Sequence, residues 1–257
     1  MNNEIKNLIN EFKKIAKKKW IRSISSHYNS IGLTFENELS KKPDSMYFPD
    51  FQGIELKCTS RYSNYPLYLF TIAFDGPTFP EINRIVENYG APDKDYKNKK
   101  VIFANINNID LKKANSNFKF AIDVDRTEEK LYLLIYDLQN NLIERKSFVY
   151  FYSIYNHLML KLRRLALIKA SKKSINNIKY YRYYKISIYE LISFDNFINL
   201  IDKKIIKIDL ISRISKSGDE KGRYRNKNLV FSLNKKHITQ LFNKITEYNI
   251  DINKKND

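Results

Sequence analysis

Asp50, Glu55 and Lys57 bring two carboxylates and one ammonium together within the run Pro49-Asp50-Phe51-Gln52-Gly53-Ile54-Glu55-Leu56-Lys57. Ile54 to Cys58 alternates as a strand does. A rise of ~3.3 Å per residue then sets Glu55 and Lys57 ~6.6 Å apart on one face, with Ile54, Leu56 and Cys58 turned to the core. Pro49 holds Phe48 extended and Gly53 permits a tight turn, so Asp50 is expected at the end of a neighbouring strand, beside Glu55. Hard oxygens from Asp50 and Glu55, with the backbone carbonyl of Leu56, suit Mg²⁺ and leave coordination positions for water and a phosphate oxygen. Lys57 would orient or help deprotonate the attacking water and stabilise the charge that builds on phosphorus. The plainer alternative is a half-buried edge strand with Glu and Lys on its polar face and a surface Asp in the adjoining turn.

Charge favours the phosphate reading. The 257 residues carry a formal net charge of +18, from 46 Lys and Arg against 28 Asp and Glu, together with 19 Tyr and 16 Phe. A polyanionic partner accounts for so many mutually repelling cations. A bias toward Lys, Asn and Ile contributes, but it does not explain the distribution: Leu142 to Lys185 holds eleven basic residues and one acid, Glu144, interleaved with tyrosines. Upstream, His27 to Gly32 reads as a loop, and the following residues as a short helix with Phe35 and Leu39 inward. Glu36 lies on the flank of that helix, a further carboxylate able to approach the site or an ordinary surface Glu.

Three stretches, Gly32-Leu33-Thr34-Phe35-Glu36, Pro49 to Lys57 and Pro66-Leu67-Tyr68-Leu69-Phe70, resemble the MvaI/BcnI family of type II restriction endonucleases, relatives of the mismatch-repair nicking enzyme MutH. Weaker echoes fall at Phe120 to Arg126 and Leu229 to Leu233, so the resemblance spans most of the chain. It implies an α/β fold of the PD-(D/E)xK kind, with a central mixed sheet flanked by helices and a second, DNA-clasping lobe. It puts the catalytic Asp, Glu and Lys on Asp50, Glu55 and Lys57, matches Glu36 to a glutamate on the preceding helix, and implies a monomer that cuts the two strands in sequence. The chain departs from the family at Lys221 to Asn228, where Gly222-Arg223-Tyr224-Arg225 replaces a His-rich turn.

The elements that must position these groups are legible in blocks. Asn2 to Ile24 repeats apolar residues at helical spacing; Leu67 to Phe74 and Lys100 to Asn105 read as core strands around a helix from Phe79 to Tyr89. Phe118 to Val124 and Lys130 to Asp137 form an antiparallel pair. Ser147 to Lys169 carries helical signals, Lys179 to Ile188 strand signals, Ser193 to Asn199 a short helix, Ile205 to Ser215 an extended segment, and Lys227 to Leu233 a strand. Asn234 to Asn249 reads as a closing helix capped by Asn234. Residues 1–141 and 212–257 are expected to form the catalytic core, and residues 142–211 a basic recognition lobe, with DNA in the cleft between them.

The lone Cys58 excludes an internal disulfide and reads as a packed thiol. No apolar run reaches the ~18 residues of a membrane span. A cytoplasmic enzyme acting on double-stranded DNA, with no membrane association, is expected, with Mg²⁺ as cofactor and a separately encoded cognate DNA methyltransferase as its companion. Arg61, Arg213, Arg223 and Arg225 are candidates for reading bases, since a guanidinium matches guanine bidentately; Lys172 and His27 are candidate DNA contacts. The reading is of a type II restriction endonuclease leaving 5′-phosphate ends. A MutH-like nicking endonuclease and a non-catalytic nucleic-acid-binding module are the alternatives.

Overall fold

The computed structural model describes residues 2–27, 29–40, 48–106, 112–113 and 117–251. In chain order the elements are α1 (Asn3–Lys17), β1 (Ile21–Arg22), α2 (Ser30–Glu38), β2 (Glu55–Ser60), β3 (Leu67–Ile72), α3 (Glu81–Tyr89), β4 (Ala91–Pro92), β5 (Lys100–Ile106) and β6 (Lys112–Lys113). There follow β7 (Lys119–Asp125), β8 (Lys130–Tyr136), β9 (Leu142–Tyr150), α4 (Phe151–Lys161), β10 (Arg164–Ile175) and β11 (Ile178–Leu191). The last are α5 (Phe194–Asp202), β12 (Ile206–Ile214), β13 (Tyr224–Leu233), α6 (Ile238–Leu241) and β14 (Phe242–Asn249). The result is a mixed α/β fold in which no described helix is long and apolar enough to cross a membrane.

The chain divides into two compact units, one of Met1–Tyr65, Leu158–Ile192 and Thr239–Asp257, the other of Pro66–His157 and Ser193–Ile238. The first is built on a sheet ordered β1-β11-β10-β2, with β14 also paired to β11. It is mixed, as expected, because β10 and β2 run parallel while β11 is antiparallel to β1, β10 and β14. One face buries Ile54, Leu56, Ala166, Ile168, Ala170, Ile186 and Ile188 against the α1 stripe Ile5, Leu8, Ile9, Phe12, Ile15 and Ala16, with Phe35 of α2. The three- and four-residue spacing of that stripe makes α1 a helix covering a sheet. The helix stops at Lys17, short of the expected Ile24, because Lys19 turns at φ 61° and Ile21 and Arg22 pair with β11. Tyr183 donates its hydroxyl to the carbonyl of Ile31 (2.7 Å), and the hydroxyls of Tyr181 and Ser30 share a 2.7 Å hydrogen bond, so α2 is tied to the sheet by polar as well as apolar contacts.

The second unit holds two antiparallel sheets, β3-β13-β12-β5-β4 and β6-β7-β8-β9, rather than a continuation of one central sheet. Phe70 stacks on Phe231 with Phe197 of α5 beside both, and this aromatic cluster joins helix to sheet.

Three expectations need correction. Within Ser147 to Lys169 only Phe151–Lys161 is helical, flanked by strands β9 and β10. Leu165-Ala166-Leu167-Ile168 is buried on both faces between β2 and β11, and such a run has no alternation to separate it from a buried helix. The closing helix is replaced by a 3₁₀ turn at Lys235–His237, capped as expected by Asn234, then the single turn α6 and the strand β14. Pairing with the open edge of β11 overrides the helical spacing there, and Ile245 is left exposed. Finally, residues 142–211 are not one inserted lobe: β10 and β11 share a sheet with β2, whereas β9, α5 and β12 belong to the second unit. Residues 66–141 and 212–238, expected in the core with β2, also lie in that second unit.

Replacing Tyr183 by Phe removes the donor to Ile31 and is expected to lower the unfolding free energy by about 1 kcal/mol, measured by urea denaturation; an unchanged midpoint would show that the bond contributes nothing net.

Candidate active site

Phe51 and Ile54 exchange backbone hydrogen bonds of 2.9 and 2.8 Å across Gln52 (φ 44°) and Gly53 (φ 81°). Two successive positive φ values are what a two-residue hairpin needs, and Gly53 takes its position without strain. This short reversal, rather than a long neighbouring strand, brings Asp50 back alongside β2, where its Oδ2 accepts the N–H of Leu56 at 3.0 Å. The parallel register then fixes the rest, with Leu165 opposite Glu55 and Leu167 opposite Lys57. Ile54 and Leu56 point into the core as the alternation requires, and Cys58 packs against it.

Glu55 is 2% exposed, and its Oε1 receives Lys57 Nζ at 2.6 Å and Lys161 Nζ at 3.9 Å. Its Oε2 is buried without a hydrogen-bond partner. Burial pushes the Glu55 carboxyl above the usual carboxylate range; Lys57 opposes this, the nearby Asp50 charge adds to it, and Lys161 opposes it more weakly. A buried carboxylate oxygen with no donor is costly unless a cation or water serves it. That open oxygen beside Asp50 fits a divalent ion. Among the described residues no three His, Cys, Asp or Glu side chains gather around one point. The carboxylates that could serve an ion here are those of Asp50 and Glu55, which a backbone carbonyl and water would have to complete, a set suited to an ion that keeps much of its hydration.

Lys161 escaped sequence reasoning. No local spacing relates it to Glu55, 106 residues earlier by subtraction of their numbers. It lies at the end of α4, where Leu162 is buried and its N–H meets the carbonyl of Leu158 at 2.8 Å, immediately before β10 begins its parallel run beside β2. A cation at a helix C-terminus is favoured by the macrodipole. Glu36 sits half-buried on α2, and its charge bears on Cys58, on the core side of β2. The Cys58 thiol is held well above its ordinary pKa by burial first and then by Glu36 and Asp50, in keeping with a packed, protonated thiol.

The candidate DNA contacts fall in both units. In the first, Arg61 is exposed with its guanidinium 5.5 Å from the centre of the Tyr62 ring, Lys172 is exposed on β10, and His27 is exposed just ahead of α2. In the second, Arg213 and Arg225 stand directly opposite each other on β12 and β13, and Arg223, in the connecting turn, meets Glu220 at 3.1 Å. Like charges set opposite each other across a ladder destabilise it. Lys227 feels them: burial first, then Arg213 and Arg225, lower its pKa.

No curated protein matches the chain by sequence. Among solved structures the chain is similar to the restriction endonuclease MvaI in complex with its cognate DNA substrate, at 25% identity over 95% of this chain and 98% of that one, with a TM-score of 0.88. MvaI in the absence of DNA matches with a TM-score of 0.61, at 23% identity over the same shares. The sequence model of the MvaI/BcnI restriction endonuclease family matches residues 9–242. With a family match over that span, the chain belongs to the MvaI/BcnI restriction endonuclease family and is a site-specific deoxyribonuclease.

Proposed function

We propose that this protein is a Mg²⁺-dependent type II restriction endonuclease of the PD-(D/E)xK kind that hydrolyses the 3′ P–O bond of a phosphodiester in double-stranded DNA, leaving 5′-phosphate ends. The observation that carries this is Glu55: buried, with one oxygen open, flanked by two ammonium groups and next to Asp50. Asp50, Glu55 and the Leu56 carbonyl would hold the ion, which supplies Lewis acidity and lowers the pKa of bound water. Lys57 orients the attacking water and donates to the phosphate as negative charge grows on it. Lys161 supplies a second positive charge to the same centre. Glu36 acts from α2 on the strand that carries the site. The enzyme works as a monomer with one catalytic centre, cuts the strands in succession, and is paired with a separately encoded methyltransferase that protects the host sequence. A plasmid assay separates this from a MutH-like nicking activity, which would stop at the open circle.

Asp50→Asn and Glu55→Gln are expected to reduce single-turnover cleavage by at least about 100-fold while cognate binding in Ca²⁺ persists. Lys57→Ala should be similarly impaired, and Lys161→Ala less so, by about 10-fold, the loss expected of one charge-assisted contact. Near-normal turnover by both carboxylate variants would overturn the assignment.

The raised Glu55 carboxyl has a stability consequence in the metal-free protein. A folded-state value above the unfolded one contributes stability that is present below the unfolded value and lost as pH rises through the folded one. Glu55→Gln, which cannot ionise, should therefore gain on wild type between pH 5 and pH 8 in urea melts run with a chelator. A gain that shrinks as pH rises would contradict the burial argument.

The opposed Arg213 and Arg225, with Lys227 beside them, favour a DNA contact in the second unit. Alanine at either arginine should cost about 1–3 kcal/mol selectively on the cognate duplex if it reads a base. Titrations against cognate and scrambled duplexes check this, and equal losses on both would reassign the residue to phosphate.

A further inference from the structure

The face of the first unit's sheet that carries Glu55 and Lys57 continues well past them. Residues directly opposite in register share a face, which links Glu55 with Leu165, Lys57 with Leu167, Thr59 with Lys169, and Lys169 with Lys185. A bulge at Tyr184 resets the β11 alternation, after which Ser171 stands opposite Arg182, Lys173 opposite Tyr180, and Tyr180 opposite Arg22 of β1. The reverse face keeps Ala170, Tyr181 and Tyr183 in the core.

Along this face the sheet narrows. Pairing of β2 ends at Ser60 with Ala170, and that of β14 at Asn249 with Lys185. From Ser171 to Arg182 only a ribbon of β10 and β11 remains, edged by the two residues of β1 and closed by Asn176 (φ 48°) and Asn177 (φ 62°). Successive left-handed residues form the tight turn whose twist matches the strands, so the ribbon is a stiff element. Ser171 to Arg182 contains no acid. Arg22, Lys173 and Arg182 on the exposed face enter no ion pair among the described residues. The Lys173 ammonium rides 4.4 Å from the centre of the Trp20 ring and 5.9 Å from that of Tyr180, which fixes its long side chain over an aromatic floor.

We propose that this ribbon face is a track for duplex DNA flanking the cut on one side, with Arg22, Lys173 and Arg182 on its phosphates. From Leu167, opposite Lys57, to Lys173 the strand advances ~20 Å, equal to about six base-pair steps of ~3.4 Å. A guanidinium or ammonium with no carboxylate partner gains more from a phosphate than one already paired, because no competing ion pair must be broken. The proposal rests on the nuclease reading and assigns one flank of the substrate to one strand pair.

The test uses cognate duplexes in which each flank in turn is shortened from ~12 to ~3 base pairs, bound in Ca²⁺ by the full-length protein and by the Arg22→Ala/Lys173→Ala/Arg182→Ala variant. Wild type should lose roughly 10-fold in affinity when one particular flank is trimmed to less than about six base pairs. The triple variant should lose less than about twofold on the same trimming, and its slope of log K against log salt should fall by roughly 2–3. Equal sensitivity of both proteins to flank length, or an equal loss on the trimmed duplex, would overturn the track. Arg22→Ala alone, with Lys173→Arg/Arg182→Lys as a charge-keeping control, repeats the measurement without cutting into the ribbon. Failure of wild type to cleave any DNA would instead indict the nuclease reading.

Discussion

The parallel pairing of β2 with β10 is the constraint on which the site depends. It places Glu55 opposite Leu165 and Lys57 opposite Leu167, on the end strand of a sheet whose other face is covered by α1 and α2. A parallel strand needs a long crossover, and here the chain between Ser60 and Arg164 supplies it by building most of the second unit. The same pairing desolvates the Glu55 carboxylate, and desolvation makes an open oxygen a strong attractor for a divalent ion rather than a solvated surface group. It also brings the end of α4 to the site, and with it Lys161.

Positive charge is distributed unevenly with respect to partners. Much of it is locally neutralised: Lys185 and Lys244 by Glu247, Arg145 by Asp123 and Asp125, Lys216 by Asp93 and Asp95. Other cations are set against one another, as Arg213 and Arg225 are across β12 and β13. Still others, Arg22, Lys173 and Arg182, line a ribbon without acids. Exposed ion pairs contribute little to stability, so the paired cations do not explain a net charge of +18. The opposed and unpaired ones fit a polyanion whose binding relieves their repulsion.

The sequence by itself determined the grouping of the candidate site's side chains, because its parts are local. Asp50, Glu55 and Lys57 lie within one turn and one strand, where period-two alternation and the requirement for Gly at a positive φ decide which side chains meet. It also determined the covering helix α1, whose apolar spacing suffices, and the antiparallel pair β7 and β8. Only the tertiary structure decided what depends on distant pairing. β10 is a strand because it lies between β2 and β11, and β14 is a strand because β11 leaves an edge open, although both segments carry spacings compatible with a helix. Lys161 reaches Glu55 through a crossover that no local pattern encodes, and the two compact units interleave segments from across the chain. Side-chain periodicity reports which face is buried, but it carries no record of which strand lies alongside.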